Sequence, residues 1–327
     1  MENEIKTYEN RLKIEKLYDE LAAVRAQIRK LIVGQEELVD MLLTALLADG
    51  HVLIEGVPGV AKTLAAKLLA HTVRSDFSRI QFTPDLMPSD ILGTSIVNLK
   101  ESDFVFKKGP VFANMILADE INRAPAKTQA AMFEVMEEKQ VTIDGVRYPM
   151  ETPFMVMATQ NPIEQEGTYR LPEAQLDRFL FKIIVGYPEL GQEADILRMH
   201  HQKTWSNPLE LIEPVISADE LKHLQQLAAK VEVDDKLLDY IAQIVHATRE
   251  HPSIYIGASP RASLALMQSA KAWATLQQRD FVIPDDVKRL APLVLRHRLI
   301  LMPEMEMEGI PVDQVINQVV ESVEIPR

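Results

Sequence analysis

The chain has 327 residues, a formal net charge of −13 at pH 7 and no cysteine. This length is sufficient for about two domains with sizeable hydrophobic cores. Disulfide bonds and cysteine-ligated metals are excluded, and the acidic balance argues against binding to nucleic acid or to an anionic membrane. The sequence has no long apolar run, and its first residues are acidic and lack an apolar signal segment. We therefore expect a cytoplasmic protein without a membrane segment.

The first part of the chain has a helical pattern over residues 8 to 31. Its apolar residues recur in steps of three and four, which places them on one helix face: Ile14, Leu17, Leu21, Val24, Ile28 and Leu31. Gly34 interrupts this pattern, and a second helix is predicted from Glu36 to Leu47. The apolar turn between them, Leu31–Gln35, either packs on an adenine ring or simply joins two helices.

A glycine-rich turn, Gly56–Thr63, lies between a predicted strand at His51–Glu55 and a predicted helix at Leu64–His71. Its glycines let the backbone curl, and its N–H groups lie beside a helix N-terminus, an arrangement that binds phosphate. We expect Lys62 to reach the β- and γ-phosphates of a nucleotide and Thr63 to ligate Mg²⁺. The predicted nucleotide-binding residues are Gly56, Gly59, Val60, Ala61, Lys62, Thr63 and Leu64.

Ala61 departs from the usual P-loop pattern, which has glycine immediately before the lysine. The difference matters only if this position needs a positive φ. We expect it to be harmless, because the first turn of a helix tolerates alanine well.

The segment after this helix contains a predicted strand at Ser78–Thr83 and a short helix at Ser89–Leu92. Two β-like runs follow, Ser95–Leu99 and Phe104–Phe106, and a polar turn, Lys100–Asp103, joins them. Together they predict a hairpin inserted between helices.

An apolar strand, Met115–Ala118, ends in Asp119 and Glu120. Asp119 at this place can hold a water of the Mg²⁺ shell, and Glu120 can accept a proton from an attacking water as general base. Strands that end in solvated carboxylates are common. The functional interpretation therefore depends on the phosphate-binding turn in the same chain.

The next elements are a helix at Ala126–Glu138 and a hairpin at Val141–Tyr148, whose Asp144-Gly145 pair fits a type I′ turn. A buried strand at Phe154–Ala158 leads to Asn161. An amide at the carboxyl end of a parallel strand can orient an attacking water. The alternative is an asparagine that opens a turn before proline.

A helix at Pro172–Phe179 and a strand at Phe181–Val185 complete the predicted α/β domain. Its strands near 51, 78, 115, 154 and 181 alternate with helices. This pattern predicts a P-loop αβα sandwich with a five-stranded parallel sheet covered on both faces.

The remaining chain has a helical pattern, which predicts a smaller, all-α lid domain. Ser217 and Glu220 form a capping sequence, and helices follow at Asp235–Glu250, Pro260–Gln278 and Pro284–Arg298, with a short closing helix after Met302. We expect an N-terminal helix at 1–30, the nucleotide-binding domain at 31–187, a linker at 188–215 and the lid domain at 216–327. Arg261 lies near a helix N-terminus, where the dipole disfavours a cation, so it either faces an anionic partner or is solvated.

Several of these stretches together resemble the MoxR family of AAA+ ATPases. The likeness extends from about residue 30 to about residue 300 and rests on Gly56–Thr63, Gly109–Asn114, Leu117–Pro125, Ala158–Pro162, Leu171–Phe179 and Gly257–Arg261. The alanine at position 61 is part of the resemblance. Each motif alone is weak, whereas their combination is highly specific.

The resemblance implies an ATP- and Mg²⁺-dependent ATPase that assembles into a ring, usually a hexamer, with ATP at subunit boundaries. Lys62 and Thr63 correspond to the Walker A pair, and Asp119 and Glu120 to the Walker B acids. By the same likeness, the roles of three more residues are as follows: Asn161 is sensor 1, Arg261 is sensor 2 on the lid, and Arg178 is the arginine finger of the neighbouring site. The two hairpins correspond to the helix-2 insert and the pre-sensor hairpin.

The resemblance further implies a chaperone-like role on partner proteins, often ones with von Willebrand factor A domains, and sometimes in metal-cofactor insertion. Three alternatives stay open: a nucleic-acid motor, a magnesium-chelatase-type motor subunit, and a nucleotide-gated scaffold with little turnover. The hairpin turns are mostly acidic or neutral, and Lys107-Lys108 is the basic pair near them. This charge pattern argues against the nucleic-acid motor.

Overall fold

The structure, a computed structural model, describes residues 18–98, 103–161, 169–201 and 207–326. Residues 8–17 of the predicted first helix, the predicted turn at 100–102 and Pro162 lie outside the described residues. The chain divides into two compact units. The first unit comprises the described parts of Met1–Leu43, His51–Leu171 and Ile183–Lys222, and the second comprises Thr44–Gly50, Pro172–Lys182 and the described part of His223–Arg327.

The strands, in chain order, are β1 (Val52–Gly56), β2 (Phe77–Gln81), β3 (Gly93–Asn98), β4 (Asp103–Lys108), β5 (Met115–Asp119), β6 (Gln140–Ile143), β7 (Val146–Pro149), β8 (Met155–Gln160), β9 (Phe181–Val185), β10 (Ile254–Ile256) and β11 (Ile300–Leu301). The helices are α1 (described at 18–29), α2 (Glu36–Leu47), α3 (Lys62–Thr72), α4 (Pro88–Leu92), α5 (Ala126–Glu138), α6 (Glu173–Leu176), α7 (Leu190–His201), α8 (Ala218–Ala229), α9 (Asp235–Glu250), α10 (Pro260–Leu276), α11 (Pro284–Leu295), α12 (Pro303–Met307) and α13 (Val312–Ser322).

The predicted five-stranded parallel sheet is confirmed, with strand order β2-β5-β8-β1-β9. Its central strands are almost continuously apolar, and Met115–Ala118 and Met155–Ala158 are buried. Such runs are typical of parallel strands that are covered on both faces. Because the strands are parallel, the residues at the carboxyl ends of β1, β5 and β8 lie along one edge of the sheet.

Both predicted hairpins are confirmed as antiparallel pairs, β3–β4 and β6–β7. Asp144 and Gly145 have φ values of 51° and 77°, as a type I′ turn requires. The two hairpins contact each other, since Ser95 Oγ donates to Asp144 Oδ2 at 2.6 Å and the rings of Phe106 and Tyr148 lie 4.4 Å apart.

The predicted helices of the second unit are present, and α10 packs against α9 and α11, and α13 against α9 and α11. The second unit also contains a short antiparallel ribbon, β10–β11. The helical pattern did not predict this ribbon because strands of three and two residues are too short to show a period.

Two predicted helices are shorter than expected. Helix α6 ends at Leu176, and α11 ends at Leu295. The segments that follow, Asp177–Leu180 and Arg296–Arg298, instead contact each other through side chains that donate to backbone carbonyls. In a helix that continued, the carbonyl oxygens of Phe179 and Leu180 would instead accept from N–H groups of the next turn. In the described part of the chain, no helix has the length and apolar character needed to span a bilayer.

Candidate nucleotide-binding site

The phosphate-binding turn joins β1 to α3 as predicted, and α3 begins at Lys62. Gly59 has a φ of 90°, and a Cβ built on it would meet no atom within 4 Å, so this side of the turn is open. A Cβ on Gly56 would lie 2.7 Å from the carbonyl oxygen of Val185. Gly56 is therefore needed where β1 and β9 approach each other closely.

Ala61 has a left-handed backbone, with φ 60° and ψ 15°, at the N-cap of α3. The expectation that alanine is harmless here is wrong, because residue 61 precedes the first turn and needs a positive φ. A non-glycine residue in this conformation carries strain of about 1–2 kcal/mol. The turn holds this strained geometry in the chain as it stands.

A cavity of about 390 Å³ opens beside this turn. This volume falls in the range of small-molecule sites, about 300–1,000 Å³. Its walls combine the turn with the acids of β5 and the end of β8: Pro58, Gly59, Val60, Ala61, Lys62, Thr63, Leu64, Asp119, Glu120, Thr159 and Asn161. Three stretches far apart in sequence thus contribute side chains to one polar concavity.

Lys62 lies at the base of the turn, where its Nζ donates to the carbonyl oxygen of Gly56 at 2.5 Å. The first N–H groups of α3 have no acceptor within the helix and carry its partial positive charge. A phosphate offers an ammonium a stronger, charge-assisted acceptor than a backbone carbonyl does. The turn therefore provides both fixed dipoles and a cation for an anionic ligand.

Thr159 connects the two acids at the end of β5. Its Oγ1 donates to Asp119 Oδ1 at 2.6 Å and accepts from the backbone N–H of Glu120 at 2.9 Å. Glu120 itself has a left-handed backbone, with φ 57° and ψ 50°. Thr159 therefore stabilises a strained turn, and this turn directs the Glu120 carboxylate into the cavity wall.

The Glu120 carboxylate accepts from two side-chain donors. Gln81 Nε2 donates to Glu120 Oε2 at 2.8 Å, and Arg123 Nη1 donates to the same oxygen at 3.0 Å. Arg79 donates to Asp119 Oδ2 through Nε at 3.0 Å and Nη2 at 2.6 Å, and also to Gln81 Oε1 at 2.8 Å. One hydrogen-bonded network thus holds both acids.

The sequence motifs alone assign no role to Gln81, Arg79, Arg123 or Thr159. The position of Gln81 in the sheet indicates a role. Gln81 is the last residue of β2, and it pairs in register with Asp119, the last residue of the parallel neighbour β5. Polar side chains at adjacent strand ends are expected to meet.

The donor set of the cavity suits Mg²⁺ bound together with a nucleotide. The Thr63 hydroxyl and the Asp119 carboxylate both line it, and Mg²⁺ prefers oxygen ligands while it retains several waters. Among the described residues, no group of three or more His, Cys, Asp or Glu side chains can hold a metal ion. Phosphate oxygens and water would therefore have to complete the coordination shell.

Arg178 and Arg261 belong to the second unit, whereas residues of the first unit line the cavity. Within the second unit Asp177 is next to one of these arginines in sequence and near the other in space. Asp177 immediately precedes Arg178, and Arg261 Nη1 lies 3.8 Å from Asp177 Oδ2.

Comparison with known proteins identifies both parts of the chain. Residues 51–181 match a model for an ATPase family associated with various cellular activities (AAA), and residues 246–319 match an AAA lid domain. Protein YeaC of Bacillus subtilis is 48% identical over 95% of this chain and 97% of its own length. Chaperone MoxR1 of Mycobacterium tuberculosis is 48% identical over 92% of this chain and 81% of its own.

A solved structure agrees with this assignment. A candidate ATPase from Cytophaga hutchinsonii has 43% sequence identity and a TM-score of 0.91, and the match covers 99% of each chain. Protein MoxR of Methylorubrum extorquens is 27% identical over 94% of this chain and 96% of its own length. The chain belongs to the MoxR family of AAA+ ATPases.

Proposed function

We propose that this protein binds ATP in the cavity beside Gly56–Thr63 and hydrolyses it. One observation carries the proposal. The phosphate-binding turn, Asp119, Glu120 and Asn161 line one cavity of suitable volume, although about 100 residues separate the first from the last. Glu120 acts as general base towards the attacking water, and Asn161 orients that water. Lys62 and the N–H groups of the turn bind the phosphates.

Thr63 and Asp119 would hold Mg²⁺, which supplies charge neutralisation of the transferred phosphoryl group. In the structure the Asp119 oxygens accept hydrogen bonds from Thr159 and Arg79. Asp119 therefore supports the metal through a coordinated water more readily than by direct ligation.

We further propose a ring, with six subunits as the expected number, in which Arg178 enters the site of the neighbouring subunit. Arg261 reads the γ-phosphate in its own subunit. Phosphoryl transfer depends on positioning and charge neutralisation, so an arginine supplied by a neighbour makes turnover depend on assembly. The lid unit that contains Arg261 then converts the state of the nucleotide into a conformational change.

The work of this ATPase is the remodelling or activation of partner proteins, including ones with von Willebrand factor A domains, and assistance in metal-cofactor insertion. The name of the 48% identical relative, a chaperone, supports this role. A magnesium-chelatase-type role is the second candidate. A chelatase subunit homologue of Methanocaldococcus jannaschii is 26% identical over 63% of this chain, less on both counts than the chaperone relative.

Two variants test the proposed site. Lys62→Ala removes the main cation for the phosphates, so ATP affinity should fall at least tenfold. Glu120→Gln retains the volume of the side chain but not the base, so it should bind ATP like the wild type and hydrolyse it at least about a hundredfold more slowly. Normal ATP affinity in the first variant, or normal turnover in the second, would contradict the assignment.

A further inference from the structure

We propose that Arg298, together with Asp177, is a positioning residue for Arg178. The inference rests on the proposed function, in which Arg178 acts in the neighbouring subunit's site. Asp177 and Arg298 are 121 residues apart in sequence, and Arg298 Nε donates to Asp177 Oδ1 at 2.7 Å. Asp177 is the residue immediately before Arg178. A contact that fixes Asp177 therefore fixes one backbone neighbour of Arg178.

Arg298 also binds the backbone on both sides of Arg178. Its Nη2 donates to the carbonyl oxygens of Asp177 at 3.2 Å and Phe179 at 2.8 Å, and its Nη1 donates to that of Leu180 at 3.3 Å. One guanidinium thus binds three backbone carbonyls within four residues, one before Arg178 and two after it. A planar, rigid fork suits this task, whereas an ammonium can reach fewer of these acceptors.

The two neighbours of Arg298 contact the same segment. His297 Nε2 lies 2.9 Å from the carbonyl oxygen of Phe179, and Arg296 Nη1 donates to that of Lys182 at 3.1 Å. The turn at 296–298 therefore holds residues 177–182 at several points. This segment extends from the end of helix α6 into the first residues of strand β9, and Arg178 is its second residue.

Burial makes the contact between Arg298 and Asp177 obligatory. The Arg298 side chain is only 4% exposed and that of Asp177 is 19% exposed. Burial lowers the pKa of Arg298, whereas the Asp177 carboxylate opposes this change through its hydrogen bond and its charge. A buried guanidinium that lost its carboxylate would have to leave its site or admit water, and the backbone that it binds would move with it.

Arg261 is the weaker partner of Asp177. Its side chain is 64% exposed, and its Nη1 lies 3.8 Å from Asp177 Oδ2, at the limit of an ion pair. Exposed pairs of this kind contribute little. Arg298, and not Arg261, therefore determines where Asp177 and the backbone of Arg178 lie.

The test exploits the difference between a subunit that donates an arginine and one that receives it. A donor that carries Glu120→Gln hydrolyses ATP at least about a hundredfold more slowly than the wild type but retains Arg178. A recipient that carries Arg178→Ala retains its own site but donates no arginine. Mixed rings of the two should recover ATPase activity, and the recovered rate measures how well the donor's Arg178 is placed.

Adding Arg298→Lys to the donor should reduce the recovered rate at least about tenfold, since a displacement of about 1 Å at a reacting group can lower a rate a hundredfold. The same substitution in the recipient should leave recovery within about twofold, because the recipient's own Arg178 is already absent. A general loss of stability would reduce the recovered rate in whichever subunit carries the substitution, so it would not produce this difference between donor and recipient. Asp177→Asn in the donor is the second variant, and it should also reduce recovery.

Asp286→Asn in the donor is the matched control. Asp286 forms a similar buried ion pair with Arg279, at 2.6 Å and 2.9 Å, and none of the described residues around Arg178 takes part in it. This control should lose stability without losing donor activity. Ring mass and thermal unfolding are measured for each variant and identify any donor that does not assemble. If one of the two donor variants does not assemble, the test relies on the other.

If donors that carry Arg298→Lys or Asp177→Asn assemble and restore the full rate, the inference is overturned. The proposed function is not affected by that result. Equal losses in donor and recipient would overturn the inference as well, because they would indicate a structural role only. If the Glu120→Gln donor itself restores no activity at any mixing ratio, Arg178 does not act in the neighbouring site. The proposed function then fails at that point, and the inference fails with it.

Discussion

Gln81 Nε2 donates to Glu120 Oε2 at 2.8 Å, across two neighbouring strands of the sheet. Arg123 donates to the same oxygen. In the proposed function Glu120 must accept a proton from water, and an oxygen that accepts two protein hydrogen bonds is less available for this step. The structure therefore shows the proposed base in a restrained position.

The first prediction concerns this restraint. Gln81→Ala removes one of the two donors to Glu120, and a hydrogen bond to a charged group contributes roughly 1.5–3 kcal/mol. Because Arg123 still donates to the same oxygen, only part of this energy is released. We expect the basal turnover of ATP to rise about three- to tenfold, with ATP affinity unchanged within a factor of two. Steady-state kinetics on the assembled protein measures both. A lower turnover would mean that Gln81 holds Glu120 in its productive position.

The second prediction concerns Thr159, whose hydroxyl contacts Asp119 and the N–H group of Glu120. Thr159→Val preserves the shape of the side chain and removes both contacts. Turnover should fall at least about tenfold because the Walker B turn loses its connection to β8. Thr159→Ser retains the hydroxyl and should restore most of the rate. Equal rates for valine and serine would exclude the hydroxyl as the relevant group.

The third prediction concerns the left-handed backbone of Ala61. Ala61→Gly relieves strain of about 1–2 kcal/mol but increases the entropy of the unfolded chain, so a net gain of about 0.5–1 kcal/mol in the free energy of unfolding is expected. Ala130, exposed in the interior of α5, is the matched control, and Ala130→Gly should lose about 1 kcal/mol. Denaturant unfolding measures both. Losses of the same size at both positions would contradict the strain argument.

The fourth prediction concerns His297, which is buried against the carbonyl oxygen of Phe179. Burial and the neighbouring charges of Arg298, Lys182 and Arg296 lower its pKa well below the ordinary value of 6.5. The folded protein then binds fewer protons than the unfolded chain below pH 6.5. Its stability should therefore fall as the pH decreases through that value, by up to about 1.4 kcal/mol per pH unit.

The measurement is the free energy of unfolding between pH 7.5 and pH 5.5, for the wild type and for His297→Gln. The variant retains a donor for the Phe179 carbonyl but does not titrate in this range. The difference between the two proteins should change steeply below pH 6.5 and be constant above it. A difference that is independent of pH would mean that His297 does not carry the effect.

Much of the fold was predictable because it depends on local patterns. Apolar runs identified the five sheet strands, the Asp144-Gly145 pair identified one hairpin, and helix periodicity identified the lid. Most of the residues around the cavity were predictable for a related reason. Phosphate binding requires a short contiguous turn, and Asp119 and Glu120 come directly after an apolar run in the sequence.

The remainder depends on tertiary contacts that no local pattern contains. Sequence alone does not indicate that Arg298 would bind the carbonyl oxygens around Arg178, so α6 and α11 were both predicted too long. The positive φ of Ala61 follows from the path of the turn and not from alanine's own preference. Gln81 and Thr159 are ordinary strand residues until their neighbours in the sheet are known.

The most direct test of the proposed function is the specific ATPase activity in the presence of Mg²⁺ as a function of protein concentration, for the wild type and for Arg178→Ala. Sizing at each concentration shows which assembly is present. We expect the wild-type activity per subunit to rise steeply as rings form, while Arg178→Ala assembles and binds ATP but remains at the low rate. A wild-type activity that is the same in monomers and rings, together with normal turnover by Arg178→Ala, would contradict an active site shared between subunits.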